Sequence, residues 1–271
     1  MEPLGTALRT ARADGRSAVV PYLMVDRARG RRLAPTVAAL AEAGATALEL
    51  GFPFSDPIAD GPTLEAAADR ALAHGTKWSD LLAQLGSASH RLPTAVMTYA
   101  NPVWARGLGR AARELAQAGA TGLIVPDLSL EEAAPWRKAA DDAGLALVLM
   151  AAPSASPSRV ARIARSSGGF LYLVSRFGVT GRSDPSPSRE LAPLVAAAHR
   201  SAPQLPVLLG FGVHDPASAR SALRCGADGV VIGSALEEVV GRAASPREVG
   251  AWLARIVRAV RPSAARTAGP R

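Results

Sequence analysis

The 271-residue sequence carries 31 Lys and Arg against 23 Asp and Glu, a formal net charge of +8, with 48% hydrophobic and 4% aromatic residues. That apolar share excludes a disordered chain, the single cysteine, Cys225, excludes an intrachain disulfide framework or a Cys-based metal cage, and no apolar run approaches the ~18 residues of a membrane span. The first twenty residues hold Glu2, Arg9, Arg12, Asp14 and Arg16 without an apolar core, so no secretory signal is expected and the composition predicts a reduced, cytoplasmic protein.

Short apolar runs recur along the chain, each followed by an amphipathic stretch. The runs are Ala18–Val25, Ala47–Leu50, Thr94–Thr98, Gly122–Val125, Ala146–Met150, Phe170–Val174, Pro206–Leu209 and Gly229–Ile232. Nearly free of charge and rich in Val, Ile and Leu, they read as buried parallel strands. Helices are predicted over Thr36–Ala43, Leu64–His74, Arg110–Ala118, Glu131–Ala143, Ser158–Ser166, Glu190–Ser201, Ala217–Arg224 and Arg247–Val260, with an extra one near Trp78–Leu85. Glycines at Gly44, Gly119, Gly144 and Gly226 suit helix C-termini. Eight strand–helix units without a hairpin signal predict a (β/α)₈ TIM barrel. The expected layout is one barrel domain over residues 1–260 and a fraying basic tail over 261–271.

Strand starts fall near residues 18, 47, 94, 122, 146, 170, 207 and 229, so two intervals stand out: 47 residues after the second strand and 37 after the sixth. Loops that follow barrel strands form the catalytic face, and long loops there are usually functional. The second and sixth loops are therefore predicted to be extended, and the glycines and Ser-Pro repeats of Gly178–Ser188 predict mobility in the sixth. Only Lys77 and Lys138 break the arginine monopoly among the basic residues. The clusters Arg27–Arg32 and Arg255–Arg271 read as solvated surface, and no nucleic-acid partner is expected. The tryptophans Trp78, Trp104, Trp136 and Trp252 lie outside the strands and read as shell packing, and Cys225 reads as a small buried residue near a helix end.

Glu49 interrupts an apolar strand and points to the face opposite Leu48 and Leu50. A carboxylate aimed into a barrel must be paired or used, and burial raises its pKa toward general-acid work. Asp56 and Asp60 follow in a loop rich in Pro and Gly, where turn chemistry is the plain alternative. Gly210-Phe211-Gly212 follows the seventh strand, Gly233-Ser234 follows the eighth and opens a helical turn over Ser234–Val239, and Gly178-Val179-Thr180-Gly181 sits in the sixth loop. Glycine amides and a helix N-terminus after strands seven and eight form a phosphate site in many barrels. Lys77 and Lys138 lie away from strand ends, which disfavours a Schiff-base aldolase. The histidines His74, His90, His199 and His214 are dispersed, which disfavours a metal site. Acid–base catalysis on a phosphorylated substrate remains.

These motifs resemble the tryptophan synthase alpha chain family. The resemblance rests on Leu48-Glu49-Leu50-Gly51-Phe52-Pro53-Phe54-Ser55-Asp56-Pro57-Ile58-Ala59-Asp60-Gly61-Pro62, Met97-Thr98-Tyr99-Ala100-Asn101-Pro102, Gly122-Leu123-Ile124-Val125-Pro126-Asp127-Leu128, Tyr172–Gly181, Gly210–Val213 and Gly226–Ser234. It implies retro-aldol cleavage of indole-3-glycerol phosphate to indole and glyceraldehyde 3-phosphate, with Glu49 and Asp60 catalytic. It implies Tyr22, Tyr99, Tyr172 and Phe211 around the indole ring, Thr180 reaching toward Asp60, and Gly181, Gly212, Gly233 and Ser234 on the phosphate. It also implies an alpha-beta-beta-alpha complex, a beta-subunit interface at Asp56, Pro57, Asn101 and Pro102, and pyridoxal phosphate in the beta partner, with no cofactor or metal in this chain. The family's usual Phe is Tyr22 here, and its Thr-x-Gly-Asp-Pro-like turn is replaced by Met24-Val25-Asp26-Arg27-Ala28. Alternatives are a stand-alone lyase, a weakly active subunit that activates a beta partner, and a different phosphate-binding barrel such as a sugar-phosphate epimerase.

Overall fold

The computed structural model describes residues 3–174, 187–210, 212–243 and 245–261. Eight parallel strands close into a barrel in sequence order: β1 (Ala18–Met24), β2 (Leu48–Gly51), β3 (Thr94–Met97), β4 (Ala120–Ile124), β5 (Ala146–Ala151), β6 (Leu171–Val174), β7 (Val207–Gly210) and β8 (Gly229–Ile232). The seam between first and last strand pairs Ala18 with Gly229 and Pro21 with Ile232. Twelve helices flank them among the described residues: α1 (Pro3–Ala13), α2 (Gly30–Glu42), α3 (Pro62–Ala73), α4 (Trp78–Ala88), α5 (Ala100–Arg106), α6 (Leu108–Gln117), α7 (Ala133–Ala143), α8 (Pro157–Ser166), α9 (Pro187–Ser201), α10 (Pro216–Leu223), α11 (Ser234–Arg242) and α12 (Pro246–Val260). No helix there is long and apolar enough to cross a membrane.

Strand parity divides the apolar residues into two cores. Leu48, Leu50, Val96, Leu123, Leu147, Leu173 and Leu209 face outward and pack with the helices. Val20, Tyr22, Ala95, Met97, Ile124, Val148, Tyr172, Leu208 and Val231 fill the barrel. Tyr22 on β1 and Tyr172 on β6 are the bulkiest of these strand residues, and Ala95 on β3 is the smallest.

α1 has no counterpart in the expected elements, although Leu4, Leu8 and Ala11 recur at helical spacing and are all buried. It closes the barrel floor. Leu4 lies so near the start of β4 that a Cβ on Gly122 would meet it at 2.7 Å. α2 begins at Gly30 rather than Thr36. Asp26 caps a 3₁₀ turn over Arg27–Arg29 by accepting the Ala28 N–H, and that turn runs on into the helix past the internal Pro35. Part of the arginine cluster expected on the surface is thereby drawn inward: Arg29 is ion-paired with Asp26 and Glu237. The glycines expected at helix ends, Gly44, Gly119, Gly144 and Gly226, all have positive φ, between 75° and 100°. Trp78 and Trp136 pack in the shell as expected, but Trp104 is 61% exposed, a correction explained by its place on the seven-residue α5, which buries only Val103. Cys225 is buried just after α10.

Candidate active site

Glu49 sits in the middle of β2 with neighbours Leu48 and Leu50 committed to the outer core, so alternation drives its side chain into the barrel. It is 1% exposed, and neither carboxylate oxygen has a hydrogen-bond partner. Burial, reinforced by the nearby Asp60 carboxylate, pushes its pKa up to about 8. An unpartnered buried carboxyl group is costly, and it is therefore held in the neutral, proton-bearing form.

Asp60 is delivered by the loop over residues 52–61. Phe52 donates its N–H to the Met97 carbonyl and meets the Trp78 ring edge-on at 5.4 Å, while Phe54 stacks on Tyr99 at 5.2 Å. The Tyr99 hydroxyl then accepts the Ala59 N–H at 3.0 Å and hydrogen-bonds the Asp60 carboxylate. Asp60 Oδ1 remains buried and unpartnered. Burial lifts Asp60 to about 6, a rise that the Tyr99 hydroxyl partly offsets. Burial also raises Tyr99 and, more strongly, Tyr22 and Tyr172; the Glu49 and Asp60 carboxylates push the latter two in the same direction.

Two glycines make room for two tyrosine rings. Tyr22 pairs with Glu49 across β1 and β2, and its ring lies over Gly51, where an added Cβ would sit 1.8 Å from its hydroxyl oxygen. Tyr172 lies over Gly210 in the same way, with its ring 2.1 Å from the position of an added Cβ. Both rings are buried beside the two carboxylates.

Gly233, after β8, has φ −101° and ψ −88° and leads straight into α11 at Ser234. Its carbonyl accepts the Leu236 and Glu237 N–H groups, so the amides at the helix start point outward, as an anion site requires. Gly212 has φ 80°, a conformation that glycine adopts without strain. Phe211, Thr180 and Gly181 lie outside the described residues, as does most of the sixth loop with its expected mobility.

The profile of one family, the tryptophan synthase alpha chain, matches residues 8–261. The chain belongs to the tryptophan synthase alpha chain family. Among curated relatives, the tryptophan synthase alpha chain of Prochlorococcus marinus (strain MIT 9313) is 42% identical over 243 residues, 89% of this chain and 88% of the relative. That of Synechococcus sp. (strain CC9902) is 44% identical over 225 residues, 82% of this chain and 83% of the relative. Among solved structures, Mycobacterium tuberculosis tryptophan synthase superposes with a TM-score of 0.84 at 34% identity, covering 96% of this chain and 98% of that one. The tryptophan synthase a2b2 complex of the hyperthermophile Pyrococcus furiosus gives 0.79 at 33% identity, covering 90% and 98%.

In this member of the alpha chain family, Asp56 and Asn101 are exposed and Pro57 and Pro102 half-buried. Asn101 and Pro102 lie in the first turn of α5, whose Ala100 N–H is held by the Asp127 carboxylate at 2.9 Å. Ile58 and Trp104, 78% and 61% exposed, add apolar surface on the same loop and the same helix. Sequence reasoning missed three polar residues around the site. Asp127 fastens α5, Asp26 is 4% exposed and bonds His74 Nδ1 at 2.9 Å, and Glu237 is 3% exposed and accepts the Met24 N–H. Glu237 stands next to Glu238 in an unremarkable helical stretch, and no spacing signal marks which of the two turns inward.

Proposed function

We propose that this chain cleaves indole-3-glycerol phosphate to indole and glyceraldehyde 3-phosphate, with Glu49 and Asp60 as its catalytic residues, and that it works with a tryptophan synthase beta subunit in tryptophan biosynthesis. One observation carries the reading: Glu49 is a buried, unpartnered carboxyl group kept protonated near neutral pH, with a second carboxylate of lower pKa beside it. Two carboxyl groups with pKa values pushed apart divide acid and anion roles between them. Protonated Glu49 donates to C3 of the indole ring. Asp60, ionised above about 6, faces the positive charge that develops at the indole N–H. The Glu49 carboxylate then takes the proton of the glycerol hydroxyl as the carbon–carbon bond breaks, so the group returns to its starting state and no net proton is consumed.

Tyr22, Tyr99 and Tyr172, with Phe211, wall the ring in this reading. Gly212, Gly233 and Ser234, with Gly181, take the phosphate through backbone amides. Thr180 reaches Asp60 from the sixth loop. The acid–base chemistry needs no cofactor in this chain, and pyridoxal phosphate belongs to the beta partner. Asp56, Pro57, Asn101 and Pro102 form the beta-facing surface, and the whole acts as an alpha-beta-beta-alpha assembly in the cytoplasm.

Indole release by the purified chain tests this, measured alone and with a beta subunit. Glu49→Gln keeps shape but cannot donate the proton, and it should lose at least about a hundred-fold in kcat. Full activity in Glu49→Gln, or no indole release from the unaltered chain with or without the beta subunit, sinks the reading.

A further inference from the structure

β1 is longer than its neighbour on the closing seam. Its pairing with β8 ends at Pro21 and Ile232, while β1 continues through Met24. On the other side the overhang is held by β2, where Tyr22 and Met24 pair with Glu49 and Gly51 and the Val25 N–H reaches the Gly51 carbonyl. Successive N–H groups of a strand point to opposite sides, so the Met24 N–H points to the side that β8 no longer occupies. A buried N–H without a partner costs about as much as a lost hydrogen bond. Glu237 supplies the partner: its Oε1 accepts the Met24 N–H at 2.6 Å. Its other oxygen lies 3.5 Å from Arg29 Nη1, on the turn that β1 leads into.

Glu237 lies in the first turn of α11, the helix that Gly233 and Ser234 open. Tyr22 lies in the overhang itself, and its hydroxyl hydrogen-bonds Met24 Sδ at 3.6 Å. A Cβ on Gly233 would come within 3.8 Å of Tyr22 Cβ, so the two halves of the site touch at this point.

We propose that Glu237 is a positioning residue: its carboxylate clamps the overhanging end of β1 to α11 and so fixes the distance between the ring wall at Tyr22 and the phosphate amides of Gly233 and Ser234. The proposal rests on the reading of those residues as ring and phosphate sites. A ligand that spans both halves feels that distance; a fragment that uses only one half does not.

The test compares the whole substrate with its fragments. KM for indole-3-glycerol phosphate is measured beside the inhibition constants of inorganic phosphate and of indole, in the unaltered chain and in Glu237→Ala and Glu237→Gln. Glu237→Ala should raise KM about ten-fold or more while both fragment constants stay within about two-fold. Glu237→Gln keeps an acceptor oxygen for the Met24 N–H and should remain within about two-fold of the unaltered chain throughout. If Glu237→Ala does not fold, Glu237→Asp carries the same comparison, since its shorter side chain must release Met24 or drag the helix. A fall in thermal midpoint with unchanged KM would make Glu237 merely structural and overturn the proposal. Fragment constants that rise together with KM would also overturn it, because they signal local damage to one half. Failure of the unaltered chain to turn over the substrate at all would overturn the functional reading, and this proposal with it.

Discussion

Glu49 could be read from the sequence because a charged residue on the inward parity of an apolar strand has no bland place to go. Tyr22 and Tyr172 carry a less visible condition, since each ring occupies the space that a side chain on Gly51 or Gly210 would need. Gly51→Ala puts a methyl group 1.8 Å from the Tyr22 hydroxyl oxygen. The ring must swing away or the strands must part, and either should cost about 1–3 kcal/mol. Denaturant unfolding should show that loss, together with a drop in indole release; a variant as stable and as active as the unaltered chain would refute the interlock. Glu237 and Asp26 escaped the sequence reading for the opposite reason to Glu49. Acidic residues at helix starts and turns are ordinary caps, and only the overhang of β1 turns Glu237 into a partner for a buried amide.

At the scale of elements, the strand–helix alternation was legible because parallel strands are apolar on both faces and helices are not. Boundaries were less so. Pro35 hides the first turn and a half of α2, because a proline reads as a start and not as an interior residue. α5 is only seven residues long and is fastened from outside by Asp127, a contact that local sequence cannot announce. It exposes Trp104 beside Asn101 and Pro102, an expensive arrangement for a helix with nothing to cover it. Trp104→Ser should therefore leave the thermal midpoint within about 2 °C of the unaltered chain. The same change should weaken beta-subunit binding about ten-fold in a titration followed by calorimetry, as truncation of a large interface aromatic does. Unchanged binding would remove α5 from the beta-facing surface.

The whole barrel responds to Glu49 through pH. Burial raises the folded-state pKa of this acid from 4.5 to about 8. Between those values the unfolded chain has released the proton and the folded chain has kept it, so stability falls as pH rises. Glu49→Gln has no proton to lose. At pH 8 it should be about 4 kcal/mol more stable than the unaltered chain, and the gap should close as pH falls toward 4.5. Urea midpoints across that range would show it; a pH-independent difference would mean that Glu49 is ionised in the folded chain. A buried carboxyl group that opposes folding must be carried by stability elsewhere, here from the outer leucines and from α1 at the floor.

The seam that joins β1 to β8 has one more consequence, in the order in which the chain is made. β1 leaves the ribosome long before its partners Gly229–Ile232 and the Glu237 carboxylate, which follow all the other strands in the chain. Until they arrive, β1 keeps one open edge and the nascent barrel cannot close. A ribosome that stalls after β7 would release a sheet with two unpaired edges, the form of this chain most exposed to aggregation and to cellular proteases.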